Sequence, residues 1–160
     1  MQVVADAGPL LSFVRAERLA LLKSVTGSVV IPTAVYEEIV VKGAGKRGAD
    51  EVEHADWIER RSVRDQTFAN RLPHKLHSGE REAITLAREI GGVLLVDELE
   101  VRKEAQRLGI QYFGSLALLK EAKQLGLIPA VKPVLDELIA AGTYISKSLY
   151  QDVLEQVGET

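Results

Sequence analysis

The sequence predicts an α/β domain built around a parallel sheet of about five strands. Short apolar runs rich in β-branched residues recur along the chain, as QVVAD, SVVIP, GVLLV and IQYF. Amphipathic helical patterns separate them. Strands spaced by helices make βαβ units, and these imply a parallel sheet with right-handed crossovers. After Gly126 the strand pattern stops and only helical periodicity remains.

The first strand covers 2–6 and ends on Asp6, a carboxylate where an apolar run would be expected to stay apolar. A buried charge without a partner is costly, so Asp6 needs either a solvated turn or a cation. A helix is expected over 9–22, opening at Pro9. SVVIP (28–32) is the second strand, followed by helices over 33–41 and 49–56. WIERRSV (57–63) is polar enough to read as an edge strand, and 64–80 reads as the longest loop. Helix 78–90 leads to the strand GVLLV (92–96), which ends at Asp97. Helix 98–108, strand 110–113 and helix 115–125 follow. The remainder reads as a helical hairpin with two apolar stripes: Val131, Val134, Leu135 and Leu138, then Ile145, Leu149, Val153 and Val157. Ser148 with Gln151 fits a capping box, and Gly142 fits a helix stop. The expected organisation is one domain over 1–160, with a core at 1–126 and the hairpin at 127–160. The hairpin either packs on its own domain or supplies part of a subunit or partner interface.

Composition narrows the function classes. The chain has 160 residues, 46% of them apolar, enough for one sizeable core. It has no Cys, which removes disulfides and thiolate metal sites and fits a reducing cytoplasm. No basic segment opens the chain as in a signal peptide, and no run approaches the ~18 apolar residues of a membrane span. The net charge of −3 gives no global attraction to nucleic acid. A nucleic-acid site would therefore need a local basic patch or bound cations.

Four acids stand in places that ordinary surface charge does not occupy. Asp6 and Asp97 each end a strand, at the edge where parallel sheets bind ligands. Each has a structural alternative: Asp6 can cap the helix opening at Pro9, and Asp97 can form a capping box with Glu100. Glu80 begins the stripe of Ala83, Ile84 and Ala87, or answers its helix dipole, whereas Glu82 reads as solvated. Glu38 aligns with Ala34 and Val41 in mid-helix, where a buried salt bridge is the alternative, while Glu37 is rotated away. Asp6, Glu38, Glu80 and Asp97, with Glu98 beside it, are thus candidates to converge. Carboxylates that close repel one another unless a cation intervenes. An all-oxygen set points to Mg²⁺ or Mn²⁺, which activate water and neutralise phosphate charge.

In order and spacing, VVADAGPLLSF, VIPTAVYEEI, GEREAITLA and GVLLVDELEVRKEAQRLGI resemble the PIN-domain nucleases, a group that includes the VapC-type toxin ribonucleases. The resemblance covers about the first 126 residues. The closing GSLALLKEAKQLGLI and hairpin are similar to a VapC-like subgroup. The resemblance implies a three-layer αβα fold, an acidic cluster binding Mg²⁺ or Mn²⁺, RNA phosphodiester hydrolysis, a homodimer and a cognate antitoxin. By position it assigns the catalytic and metal-binding roles to Asp6, Glu38, Glu80 and Asp97, the last preferred because it ends the strand, with Glu98, in register with Val101 and Ala105, as the alternative fourth ligand. Two departures stand out. Gly8 replaces the Ser or Asn that often helps to orient the first acid, and VDE replaces the T-x-D ending of the fourth strand. These features support an alternative, a weakly catalytic or inactive binding module in a protein–RNA complex. A structure-specific DNA nuclease on the same site is a further alternative.

Other motifs carry less. GAGKRG (43–48) follows a helix and lacks phosphate-loop spacing, though Lys42, Lys46 and Arg47 could touch a nucleic-acid backbone. HKLH (74–77) lacks a third strong zinc ligand.

Overall fold

A computed structural model describes all residues, 1–160. Five strands form one parallel sheet: β1 (Val3–Ala5), β2 (Val29–Pro32), β3 (Ile58–Arg61), β4 (Val93–Leu95) and β5 (Tyr112–Phe113). Their order is β3-β2-β1-β4-β5. Val4 stands opposite Val30 on one side and Leu94 on the other, and Ala5 opposite Leu95. The two-residue alternation of a strand sends these side chains to two separate cores. Val4, Val30, Leu94 and Val96 join one core, and Ala5, Val29, Ile31 and Leu95 join the other. Burial on both faces explains why the central strands read as unbroken apolar runs. β3 lies at an edge and carries Glu59, Arg60 and Arg61, charges that discourage pairing with another chain.

Helices cover both faces, giving the three-layer αβα architecture. One core gathers α1 (Ala7–Arg15), α2 (Leu19–Thr26), α8 (Ser115–Gln124), α9 (Val131–Ala140) and α10 (Lys147–Gln156). The other gathers α6 (Ser78–Ile90) and α7 (Leu99–Arg107). The remaining helices are short: α3 (Thr33–Tyr36), α4 (Ala49–Glu53) and α5 (Gln66–Arg71). All four stripe residues of α9 are buried, so this helix belongs to the domain core. No helix is long and apolar enough to cross a membrane.

Several local expectations are corrected. The helix expected over 9–22 is two helices, broken where Glu17 takes a left-handed φ of 58°. Neither Gly nor Pro marks the break. It rests on tertiary contacts: Arg18 pairs with Glu137 of α9 at 2.7 Å, while Leu21 and Leu22 turn into the core. The expected loop 64–80 holds α5, capped by Asp65, which accepts the Phe68 N–H at 2.9 Å. Six residues are too few for a periodic signal, and α5 is recognisable only from that cap. Ser146, not Ser148, caps α10, accepting the Leu149 N–H at 3.2 Å. Leu149 itself remains exposed, so the second hairpin stripe is incomplete.

The stretch 33–41 departs most from an ordinary helix. After α3 it widens into a π-helical turn, Glu37–Val41. The buried positions are Val35 and Ile39, and Val41 is 61% exposed. Glu38 is therefore exposed and does not lie on a buried stripe. A wider turn changes which residues share a face, and π-turns often accompany functional sites.

Candidate active site

Strand order reverses between β1 and β4, the position where such sheets bind ligands at their carboxyl ends. Asp6 follows β1 directly, and its N–H donates to the Leu95 carbonyl of β4 at 3.1 Å. Its side chain is almost enclosed, at 5% exposure. Oδ1 accepts the Ala7 N–H at 2.8 Å, so Asp6 caps α1 as its structural alternative required. Oδ2 carries no hydrogen bond and keeps contact with solvent. Burial, joined by the charges of Glu80, Glu38 and Glu98, pushes the carboxyl pKa up to about 7 against the pull of the Ala7 amide.

Each of these three acids is placed by its own element. Glu80 sits in the first turn of α6, where its Oε1 accepts the His77 N–H at 2.7 Å. The Ala83, Ile84 and Ala87 stripe that follows is fully buried and fixes the rotation of α6. Glu38 approaches the same helix start. A Cβ on Gly79 would stand 3.2 Å from its Oε1, so glycine there leaves Glu38 room. Glu98 follows β4 at the N-cap position of α7. Neither Glu38 nor Glu98 has a side-chain hydrogen bond, and none of the four acids has an ion pair.

Asp97 has different surroundings. Its oxygens accept the Ser115 N–H at 2.8 Å and the Ser115 hydroxyl at 2.6 Å, and Arg102 Nη2 lies 3.8 Å away. Arg102 Nε also donates to the Val96 carbonyl at 3.0 Å. A Cβ on Gly114 would collide with the Arg102 guanidinium and come within 2.7 Å of Asp97 Oδ1. Asp97 thus latches the end of β4 to the start of α8. The capping box expected with Glu100 does not form, because Glu100 pairs with Lys75 at 2.8 Å. Glu82 is not simply solvated: it accepts the Ala34 N–H at 3.0 Å and ties α6 to α3.

Beside Asp6 lies a crevice of about 330 Å³, lined also by Gly8, Ser12, Asp97, Glu98, Thr143 and Tyr144. Space around a Cβ at Gly8 is open, and the nearby hydroxyl is that of Ser12, one helical turn on. Spacing by four on α1 could have signalled Ser12. Nothing local could have signalled Thr143 and Tyr144, which arrive from the α9–α10 loop. The acids of the crevice do not bring three ligand atoms within 4.8 Å of one another. A group that does is Asp50 and Glu53 of α4 with His54 directly after it, all exposed, where His54 Nδ1 lies 2.9 Å from the Asp50 carbonyl. His74 contacts Arg81, and Lys42, Lys46 and Arg47 are exposed.

A parallel β3-β2-β1-β4-β5 sheet with unpaired acids gathered where β1 and β4 end defines an αβα domain with an acidic crevice at the carboxyl edge of its sheet. The chain belongs to the PIN domain family: the family model DUF3368, PIN domain, matches residues 2–159. PIN domains are generally nucleases, and generally depend on divalent metal. The chain is also similar to a solved PilT N-terminus domain protein from the hyperthermophilic archaeon Sulfolobus solfataricus P2. The identity is 16% and the TM-score 0.47, covering 91% of this chain and 98% of that one. Comparison with curated proteins finds no match.

Proposed function

We propose that this PIN domain is a Mg²⁺- or Mn²⁺-dependent endoribonuclease and the toxin of a toxin–antitoxin pair. The observation that carries the metal-dependent chemistry is Asp6, nearly buried, facing three further acids and no cation. The donor set fits a hard divalent ion: every side chain offers oxygen, and Asp6 and Glu80 each have one oxygen already oriented by a backbone amide. Asp6, Glu38, Glu80 and Glu98 would hold the ion, with Asp97 the alternative to Glu98. When bound, the ion supplies a more acidic water and neutralises charge on the phosphate.

The chain supplies placement. The Ala7 amide fixes the Asp6 carboxylate, and the His77 amide fixes Glu80. The Asp97–Ser115 latch holds the β4–α7 turn and so positions Glu98. The preference for RNA rests on the likeness of the motifs to VapC-type toxins. Exposed Leu125, Leu127, Ile139 and Leu149 offer apolar area for a homodimer or an antitoxin, and the absence of Cys suits the cytoplasm.

Purified protein incubated with single-stranded RNA and with single-stranded DNA, in Mn²⁺ or in EDTA, tests the reading. Cleavage of RNA in Mn²⁺ and none in EDTA is expected. RNA cleavage that persists in EDTA removes the metal role. Cleavage of DNA alone makes the chain a DNA nuclease, and binding without cleavage makes it a binding module.

A further inference from the structure

Next to the acidic crevice lies a second groove of about 450 Å³, largely apolar, whose charged lining is two cations and one acid. The two share Asp97, Thr143 and Tyr144 as a common wall. The groove adds Arg102, Lys120 and Tyr112. Lys120 is held by Gln156, a neutral side chain, so its charge is not cancelled. The Arg102 guanidinium lies 5.4 Å from the Tyr112 ring centroid, and its one acidic neighbour is at the long distance of 3.8 Å.

Tyr144 is the least expected residue here. It is 88% exposed, the most exposed large apolar side chain in the protein. Its loop is nonetheless fixed at both ends. The Thr143 N–H closes α9 on the Leu138 carbonyl at 3.0 Å, and Ser146 caps α10. A braced loop that holds an aromatic ring in water gains nothing for folding. Thr143 Oγ1, in the shared wall, is the one buried side-chain polar atom without a partner.

We propose that this groove is the subsite for a nucleotide flanking the cleaved bond of single-stranded RNA. The Tyr144 ring stacks a base, and Lys120 with Arg102 receives a phosphate. This rests on the nuclease reading above. The chemistry favours a polynucleotide: aromatic rings beside cations match the alternation of base and phosphate, and the groove is large enough for one nucleotide. It also resolves how a chain of net charge −3, with an acidic crevice, attracts a polyanion: the positive charge is local and adjacent.

The test compares wild type, Tyr144→Ala, Tyr144→Phe and Lys120→Ala. Binding of a labelled single-stranded RNA of about 12 nucleotides is measured in EDTA, and cleavage is measured separately in Mn²⁺. Stacking of one base predicts a Kd raised roughly 5- to 100-fold in Tyr144→Ala and restored in Tyr144→Phe. Lys120→Ala should weaken binding and flatten its dependence on salt. KM for RNA should follow Kd across the three variants. Equal RNA affinity in wild type and Tyr144→Ala overturns the subsite even if cleavage stands. Tyr144-dependent RNA binding by a wild type that never cleaves keeps the subsite and overturns the nuclease reading. No RNA binding by wild type overturns the subsite outright. Weakened DNA binding with RNA binding intact also overturns it.

Discussion

Asp6 and Glu159 do the same structural work in opposite electrical surroundings. Both are little-exposed carboxylates at the start of a helix, Asp6 at α1 and Glu159 at α9. Glu159 accepts the Val131 N–H at 2.7 Å and the Lys132 N–H at 2.9 Å, and pairs with Lys123 at 2.9 Å. Burial pushes its carboxyl up, but Lys123 and the two amides outweigh that and hold it below the usual carboxylate range. Asp6 has one amide, no cation and three acids around it, and is pushed up to about 7. A cap alone would be served by the Glu159 arrangement. The missing countercharge at Asp6 is what stability does not explain and a bound cation would.

The largest effect that can break this contrast is expected from Asp6→Asn. The amide can still accept the Ala7 N–H, so the cap survives. RNA cleavage should fall at least about 100-fold, the scale of losing a few kcal/mol of charge stabilisation. In EDTA the stability difference should depend on pH. The ordinary carboxyl value is 3.8, and Asp6 in the fold is near 7. Between those values the folded state keeps a proton that the unfolded state has released. Wild-type stability therefore falls as pH rises from about 4 to about 7, by up to about 4 kcal/mol from this group, and the slope ends above 7. The Asn variant lacks that slope and should be the more stable protein at pH 7.5 without metal. Mn²⁺ should raise the wild-type melting temperature at that pH and the variant's far less. Denaturation curves at pH 5 and 7.5, with EDTA and with Mn²⁺, measure all of this. An Asn variant that melts earlier at pH 7.5 in EDTA would return Asp6 to a purely structural role.

A smaller effect should separate the two acids after β4. Glu98→Gln removes a charge that acts on Asp6 and breaks no hydrogen bond, so cleavage should drop about 10-fold or more with the melting temperature unchanged. Asp97→Asn weakens the bonds to Ser115 and the Arg102 contact, at a cost of about 1 kcal/mol given its exposure. Its cleavage should fall less than that of Glu98→Gln. The reverse ranking would make Asp97 the fourth acid of the site.

The sheet and most helices were legible because they are written locally. Continuous apolar runs marked β1, β2 and β4, and helix 78–90 follows from its apolar stripe. What escaped was set by distant parts of the chain. The break at Glu17 depends on Glu137, more than a hundred residues later. The role of Glu82 depends on the start of α3, and that of Asp97 on Ser115. At the candidate site, periodicity separated Glu80 from the wet face but misplaced Glu38, because a π-turn breaks the 3.6-residue rule. Thr143 and Tyr144 carry no local pattern at all and reach the crevice only through packing of the hairpin.

The smallest effect tests the other half of the contrast. Glu159→Gln should leave cleavage unchanged, since nothing links Glu159 to the crevice. It should lower stability by about 1 kcal/mol, because Lys123 loses its ion pair while the amide oxygen still accepts one backbone N–H. Its pH signature should also be opposite to that of Asp6. Glu159 is held below its ordinary 4.5, so its stabilisation is full above that value and is lost as pH falls through the lower folded one. Removing the carboxylate should therefore cost stability at pH 7 and cost little at pH 3. Asp6→Asn changes nothing below about pH 4 and becomes favourable toward pH 7. A protein whose two little-exposed caps gave the same slope would have one kind of acid, and the special standing of Asp6 would disappear.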